Sequence, residues 1–299
     1  MQRLNHISCP FCNSVDIHPA FELLDNKITK EKFTISDCNN CKLRFTQNPP
    51  AESSIGPYYD SPKYISHSDN TTGLINNLYH WVRRFMLNRK LSLIKSITSE
   101  KSILDIGSGT GYFLQTMKAA GFETTGIEVN EKAREFSRQQ FGLQVYSPEY
   151  LIENKIGKKF DVATLWHVLE HIYDPKKYLH YIKDQLKNNG HLVIAVPNYE
   201  STDASHYKEY WAGYDAPRHL WHFSPETISN LLQENGFTLK NSVRLPFDSF
   251  YVSMLSENYK NSFLANVKGA GLGLYSWIIS LFNIGKTSSL IYIFQKNIE

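Results

Sequence analysis

Ser102-Ile103-Leu104-Asp105-Ile106-Gly107-Ser108-Gly109-Thr110-Gly111 is the stretch that decides the fold. A short apolar strand runs straight into a glycine turn, and a helical pattern follows from Tyr112 to Ala120, stopped by Gly121. Glycines there let the backbone approach a ligand closely at a helix N-terminus. The spacing is G-x-G-x-G, whereas pyrophosphate cofactors use G-x-G-x-x-G, with the third glycine allowing tight helix packing. Asp105 at the strand end would repel a pyrophosphate and attract a cation. Glu128 ends the next strand, Thr124–Glu128, 21 residues after Gly107, where a carboxylate can accept both hydroxyls of a ribose.

Downstream, short apolar strands keep alternating with amphipathic helices. A helix at Glu131–Phe141 stops at Gly142, a short strand covers Gln144–Tyr146, and a weak helix lies near Pro148–Asn154. A strand at Asp161–Leu165 precedes the helix Pro175–Lys187, and His191–Val196 is apolar throughout, as a central parallel strand should be. Ser224 and Pro225 fit the N-cap and first position of a helix that Gly236 ends. Strands at Thr238–Arg244 and Ser289–Phe294 close the series. The alternation predicts an α/β, doubly wound, mostly parallel sheet over residues 98–299, interrupted by an apolar insert at about 246–287. Residues 1–50 are cysteine-paired and read as strand-poor. Residues 51–97 are a linker rich in Ser, Pro, Tyr and Asp followed by a helix from Leu74 to about Ile97. The polar side of that helix (Arg83, Arg84, Arg89, Lys90, Lys95) reads as a solvated face.

Composition sets limits. With 41% hydrophobic and 20% charged residues, the 299-residue chain is globular, and four cysteines are too few for a secreted disulfide scaffold. The net charge of +3 neither demands nor forbids nucleic acid. The N-terminus carries no apolar signal-peptide region, so the expected compartment is the cytoplasm. Residues 269–285 are 17 uncharged residues with four glycines, at the lower limit for a membrane span. They read as a buried or interfacial helix, with peripheral membrane contact as its candidate role.

Cys9-Pro10-Phe11-Cys12 and Cys38-Asn39-Asn40-Cys41 are two C-x2-C pairs. Such pairs place four thiolates tetrahedrally, which suits a structural Zn(II) ion with no open position. A redox pair and buried free thiols are the alternative readings. His167 and His171 flank Glu170 just beyond the strand Asp161–Leu165, where ligands gather in doubly wound sheets. Four apart, the histidines would share a face if helical. They are candidate general bases, a metal pair and core histidines being the alternatives. The segment from His206 to His222 holds Tyr210, Trp211, Arg218 and His219, which are candidates for stacking on an acceptor and holding an anionic group on it. Tyr58, Tyr59 and Tyr64 are candidates for a lid. Asn48-Pro49-Pro50 is similar to a signature of base amino-methylation, but it lies 57 residues before Asp105 and not after the strand Asp161–Leu165, which disfavours that chemistry.

From about Leu74 onward the chain resembles the class I S-adenosylmethionine (SAM)-dependent methyltransferases, on the residues Asp105-Ile106-Gly107-Ser108-Gly109-Thr110-Gly111, Glu128, and His167-Val168-Leu169-Glu170-His171. The resemblance implies a seven-stranded sheet with SAM held at the strand ends by Asp105, Gly107, Ser108, Gly109, Gly111, Tyr112, Glu128 and Val129. The cysteine pairs and the segment around Trp211, Arg218 and His219 resemble deoxysugar and polysaccharide-cluster methyltransferases. Ribosomal RNA methyltransferases with an N-terminal zinc module are the second arrangement it is similar to. The expected activity is methylation of a small acceptor, a sugar, nucleotide-sugar or glycan precursor, with His171 or His167 removing the proton beside Glu170. RNA and a lipid-linked or quinone-type molecule are the alternative acceptors. A binding scaffold with a vestigial SAM fold is disfavoured by the intact glycine and acidic set.

Overall fold

This computed structural model describes residues 2–59 and 74–298, so the expected lid residue Tyr64 lies outside the described residues. The N-terminal region is richer in strands than its sequence suggests. β1 (Ile17–Leu24), β2 (Lys32–Cys38) and β3 (Arg44–Thr46) form an antiparallel meander. Its alternation is weak because β1 leaves most side chains exposed, burying only Leu23. A fourth strand, β9 (Trp221–His222), reaches this sheet from 175 residues downstream by pairing with β3. The apolar side of the module (Cys9, Cys38, Leu43, Phe45) therefore joins the main core through Leu220, Trp221 and Phe223.

The remaining strands are β4 (Ser102–Ile106), β5 (Glu123–Ile127), β6 (Val145–Tyr146), β7 (Phe160–Trp166), β8 (Leu186–Pro197), β10 (Phe237–Arg244) and β11 (Ser289–Lys296). They form one seven-stranded sheet in the order β10-β11-β8-β7-β4-β5-β6. β11 runs antiparallel to both its neighbours and the other pairings are parallel, which bears out the expected doubly wound sheet. Leu192 to Val196 of β8 are at most 1% exposed, because helices cover both faces. Each Leu, Ile or Val side chain among them contributes roughly 1.5–3 kcal/mol of burial.

The helices are α1 (Leu74–Ile97), α2 (Tyr112–Ala119), α3 (Glu131–Phe141), α4 (Pro148–Ile152), α5 (Pro175–Gln185), α6 (Thr202–Tyr207), α7 (Pro225–Glu234), α8 (Asp248–Tyr259) and α9 (Ala265–Phe282). Ser224 starts α7 with a capping box shared with Thr227, a device worth about 1 kcal/mol. Leaving β4, the chain builds β5 and β6 on one side and then crosses to β7 on the other. The gap between the ends of β4 and β7 is thus the point where strand order reverses, the usual ligand crevice of such sheets.

The apolar insert is a helical hairpin, α8 against α9. A Cβ on Gly269 would stand 2.4 Å from the Met254 Cα, and one on Gly273 2.6 Å from the Phe250 Cα, so only glycine permits this approach. The inward face of α9 also carries Ser276 and Ser280, while Val267, Leu274, Tyr275, Ile278, Leu281 and Phe282 are exposed. Small residues seat the helix and large apolar ones face outward, the reverse of an ordinary surface helix. Among the described residues no helix is long and apolar enough to cross a membrane.

Candidate active site

The chain turns from β4 into α2 through residues 107–111. Gly107 has φ +70°, and a Cβ on it would lie 2.4 Å from Val168 Cγ2. Gly109 is also left-handed, at +54°, yet a Cβ there meets nothing within 4 Å. The turn is packed on one side and open on the other, as a ligand cradle requires. Gly107 N and Ser108 N both donate to the Ile127 carbonyl, at 2.8 and 3.0 Å, anchoring the turn over the end of β5. Glu128 accepts from Gly109 N at Oε2 and from Asn130 N at Oε1, both at 2.8 Å. Each oxygen keeps a second lone pair, so sugar hydroxyls can still donate to it. Ser108 Oγ is buried without a hydrogen bond, and Gly111 forms the N-cap of α2. Of the expected cofactor residues, Tyr112 instead packs its ring against Phe136 and Phe141 beneath the Arg83 guanidinium, and the Val129 side chain is exposed.

Asp105 is 2% exposed and accepts a 2.6 Å hydrogen bond from Thr164 on the neighbouring strand β7. Burial pushes its carboxyl up to about 7, against the opposing pull of the Thr164 hydroxyl and the Lys90 ammonium. Lys90 corrects the solvated-face expectation for α1. Its ammonium lies 4.1 Å from the Trp166 ring centroid, and burial lowers it to about 8 despite Asp105 and Asp248. The signal was in the sequence: Lys90 lies three residues after Leu87 and four before Ile94, on the apolar stripe of α1.

At the end of β7, His167 continues the ladder with its N–H on the Ala195 carbonyl at 2.9 Å, then adopts φ +57°. A left-handed non-glycine residue costs roughly 1 kcal/mol or more and is typical of functional turns. Residues 169–171 form a 3-10 turn instead of an α-helix. His167 and His171 consequently do not share a face as expected, but each lies near Glu170. His167 Nδ1 is 3.4 Å from Glu170 Oε1, and its Nε2 is 4.0 Å from Asp248 Oδ2. Burial pulls His167 down, but the two carboxylates outweigh it and hold it above its usual value. Glu170 is fully buried and its oxygens make no well-formed hydrogen bond among the described residues, His167 being the nearest donor; that histidine and its neighbours His219 and His171 keep it ionised in spite of burial. His171 Nδ1 lies 2.9 Å from the Arg218 carbonyl and 3.0 Å from the Tyr59 hydroxyl. The carbonyl can only accept, so Nδ1 carries the proton and the hydroxyl oxygen shares it. Burial lowers both His171 and His219, the latter to about 4. Phe247 and Ser249, on either side of Asp248 in sequence, line a cavity of about 400 Å³ together with Phe85, Phe250, Trp277, Arg89 and Arg244.

A family model described as a methyltransferase domain matches residues 78–241, more than half of the chain. The chain belongs to the methyltransferase-domain family. The curated relatives of this methyltransferase-domain chain include the mitochondrial ubiquinone biosynthesis O-methyltransferase of Schizosaccharomyces pombe. It is 32% identical over 105 residues, or 33% of this chain and 38% of the relative. The ubiquinone biosynthesis O-methyltransferase of Haemophilus ducreyi is 31% identical over 108 residues, 33% of this chain and 46% of the relative. The chain thus spans less than half the length of these two relatives. In fold it is similar to the magnesium protoporphyrin IX methyltransferase of Synechocystis PCC 6803 with bound SAH. That match has a TM-score of 0.52 and 12% identity, and covers 80% of this chain and 97% of the other.

Two groups flank the core of this methyltransferase domain. In the aromatic segment, Trp211 is 2% exposed and donates to Asp203. Arg218 is 1% exposed and donates to Asp25, Asp215 and the Tyr58 carbonyl at 2.7–2.9 Å. Arg218 does hold carboxylates, but they are the chain's own, and they tie this segment to the turn after β1. Both residues are therefore turned away from the expected acceptor role; Tyr210 stays exposed, and His219 is edge-on to His171 with centroids 4.6 Å apart. Tyr58 is buried and donates to Glu31, which removes it from a lid. In the second group, Cys9, Cys12, Cys38 and Cys41 bring their sulfurs within 4.8 Å of one another, with pairs at 3.5 and 3.6 Å. Four sulfurs about 2.3 Å from one Zn(II) ion stand about 3.8 Å apart. The pairs also share one turn: Asn13 N donates to the Cys9 carbonyl and Lys42 N to the Cys38 carbonyl, with φ near +60° at Asn13 and Lys42.

Proposed function

We propose that this chain is a SAM-dependent O-methyltransferase whose acceptor is a small hydroxylated ring of the quinone-precursor type, with an apolar tail. The observation that carries this reading is the placement of His167. It lies beside the strand-reversal crevice with Glu170 at one nitrogen and Asp248 4.0 Å from the other, and the neighbours of Asp248 in sequence, Phe247 and Ser249, line a cavity with aromatic and polar walls. Relatives named as ubiquinone biosynthesis O-methyltransferases favour a quinone-type acceptor over the sugar expected from sequence. Burial of Trp211 also removes one of the two rings expected to stack on a sugar, while Tyr210 stays exposed.

The donor set suits SAM. Glu128 would take the ribose hydroxyls, the opening at Gly109 would admit the nucleoside, and Asp105 would pair with the ammonium of the methionine end. When bound, SAM supplies a methyl on a cationic sulfur, which an acceptor oxygen attacks in line while the sulfur keeps the electron pair of the broken bond. The chain's own part is alignment and proton removal. Glu170 orients His167 through Nδ1, and Nε2 takes the hydroxyl proton. Residues 98–299 would be the catalytic core, with 51–97 connecting it to a zinc-stabilised module of residues 1–50. The outward apolar face of α9 would rest on the lipid surface that holds such an acceptor.

The test is methyl transfer from radiolabelled SAM to a prenylated 3,4-dihydroxybenzoate, to nucleotide-sugars and to RNA. Label on the ring oxygen, with kcat reduced at least about 100-fold in His167→Ala and SAM affinity retained, is the expected result. Label confined to nucleotide-sugars or to RNA overturns the acceptor.

A further inference from the structure

We infer that Glu170, His171 and His219 form a second metal site, distinct from the four cysteines, that binds a divalent first-row transition ion. One ligand atom from each of the three lies within 4.8 Å of the others. Atoms about 2.1 Å from a common ion stand about 3 to 4 Å apart, so side-chain rotations of an ångström or less close the set.

The geometry of each ligand supports this assignment independently. His219 Nδ1 is 2.8 Å from the Gly213 carbonyl and His171 Nδ1 is 2.9 Å from the Arg218 carbonyl. A carbonyl can only accept, so both Nδ1 atoms carry protons and both Nε2 atoms present lone pairs. A histidine whose far nitrogen donates to a backbone carbonyl is the usual arrangement of a metal ligand. Glu170 is 0% exposed and both its oxygens lack a well-formed hydrogen bond among the described residues. A buried carboxylate without hydrogen bonds is costly, and the His167 nitrogen 3.4 Å from Oε1 addresses one oxygen only. A cation at the other oxygen completes it. The backbone holds the pieces in register, since Leu220 N donates to the Glu170 carbonyl at 2.8 Å, next to His219.

Two imidazoles and one carboxylate suit Fe(II), Mn(II), Co(II) or Zn(II) and leave further positions open. Two adjacent ring hydroxyls are a bidentate ligand for those positions. The ion would hold both oxygens and acidify the one whose proton passes to His167. This role for the ion rests on the O-methyltransferase reading, whereas the binding of the ion does not.

Mn(II) is the probe, because carboxylate and imidazole hold it while thiolates favour softer ions. The purified full-length chain is titrated with Mn(II) and followed by electron paramagnetic resonance, with SAM affinity measured on the same samples by calorimetry. The expected result is one Mn(II) per chain. Glu170→Gln and His219→Gln should each weaken it beyond the roughly 10- to 100-fold typical of losing an outer-shell partner, with SAM binding unchanged. A wild-type chain that takes up no stoichiometric Mn(II), or a Glu170→Gln variant that binds it as tightly as wild type, overturns the site. Loss of SAM binding by the wild-type chain would sink the methyltransferase reading and leave the Mn(II) result to decide the metal site by itself.

Discussion

Replacing Lys90 with Met removes one charge from beneath the glycine turn while nearly conserving length and volume. Asp105 sits at about 7 because burial raises it and because Thr164 and Lys90 hold it back, with Glu128 pushing slightly upward. An opposite charge nearby lowers an aspartate by about 1–3 units, so Lys90→Met should carry Asp105 to about 8 or higher. Only the carboxylate attracts the SAM ammonium, so apparent affinity scales with the ionised fraction. At pH 7 that fraction falls from about one half to about one eleventh or less, a weakening of at least about fivefold. The sign follows from the raised pKa: wild-type affinity should climb as pH rises through about 7, and the variant's climb should lie at higher pH. Above about 8 the amino group of SAM begins to lose its own charge, and Lys90, itself at about 8, loses its charge as well. The two affinity curves therefore converge at the alkaline end. Calorimetric titration with SAM from pH 6 to 9 on both proteins reads this out. A pH-independent wild-type affinity would refute the pairing with Asp105. Tighter binding by Lys90→Met at pH 7 would instead mean that the lysine competes with the cofactor for the carboxylate.

Asp105→Asn should abolish measurable SAM binding yet raise Tm by a few degrees at pH 8, because the folded chain no longer holds a carboxylate in a site that disfavours it. The stability cost of that carboxylate appears as pH rises between the unfolded value of 3.8 and about 7, so the Tm gain should shrink toward pH 4 in a thermal-shift series; a constant gain would argue for a packing effect. Treatment with a strong Zn(II) chelator should increase hydrogen exchange at β1–β3 and at β9 together, while β4 and β5 stay protected. Mass-spectrometric exchange confined to residues 1–50 would contradict the shared sheet. Phe263→Asp with Phe282→Asp, both at exposed positions, should abolish flotation with anionic liposomes and leave SAM affinity intact; wild type that does not float would end the lipid-contact reading.

The seven-stranded sheet was legible because β4, β7, β8 and β11 carry apolar runs and glycine-stopped or capped helices alternate with the strands, signals that need no partner to be read. The helix Glu131–Phe141 and the Ser224 cap emerge at the expected residues for that reason. What escaped was set by long-range pairing. β1 buries one side chain of eight, so its alternation is faint, and β9 is a two-residue strand defined only by its partner. Lys90 was read by its charge when its position on the apolar stripe was the better guide. Arg218 and Trp211 were read as ligand-facing because aromatic and basic residues gather at sites; Asp25, which binds Arg218, is 193 residues away in sequence, and Asp203, which binds Trp211, sits in α6, so the spacing alone did not announce either pair.

The pairing of β9 explains why a cysteine module accompanies this core. Thr46 donates its hydroxyl to the His219 carbonyl at 2.8 Å and its N–H to the Leu220 carbonyl at 2.9 Å, while Leu220 donates to the Glu170 carbonyl at 2.8 Å. β3 follows the second cysteine pair by only a few residues, with Arg44 locked onto Asp37 of β2. A tetrahedral ion that fixes Cys38 and Cys41 would therefore fix β3, and through it the register of residues 219–222 against the turn that bears Glu170 and His171. The glycine turn and Glu128 are positioned by β4 and β5, with no hydrogen bond to this path among the described residues. The two halves of the site thus answer to different parts of the chain. Loosening the cysteine module should disturb acceptor chemistry at the histidines while cofactor affinity, set on the other side of the crevice, stays in place.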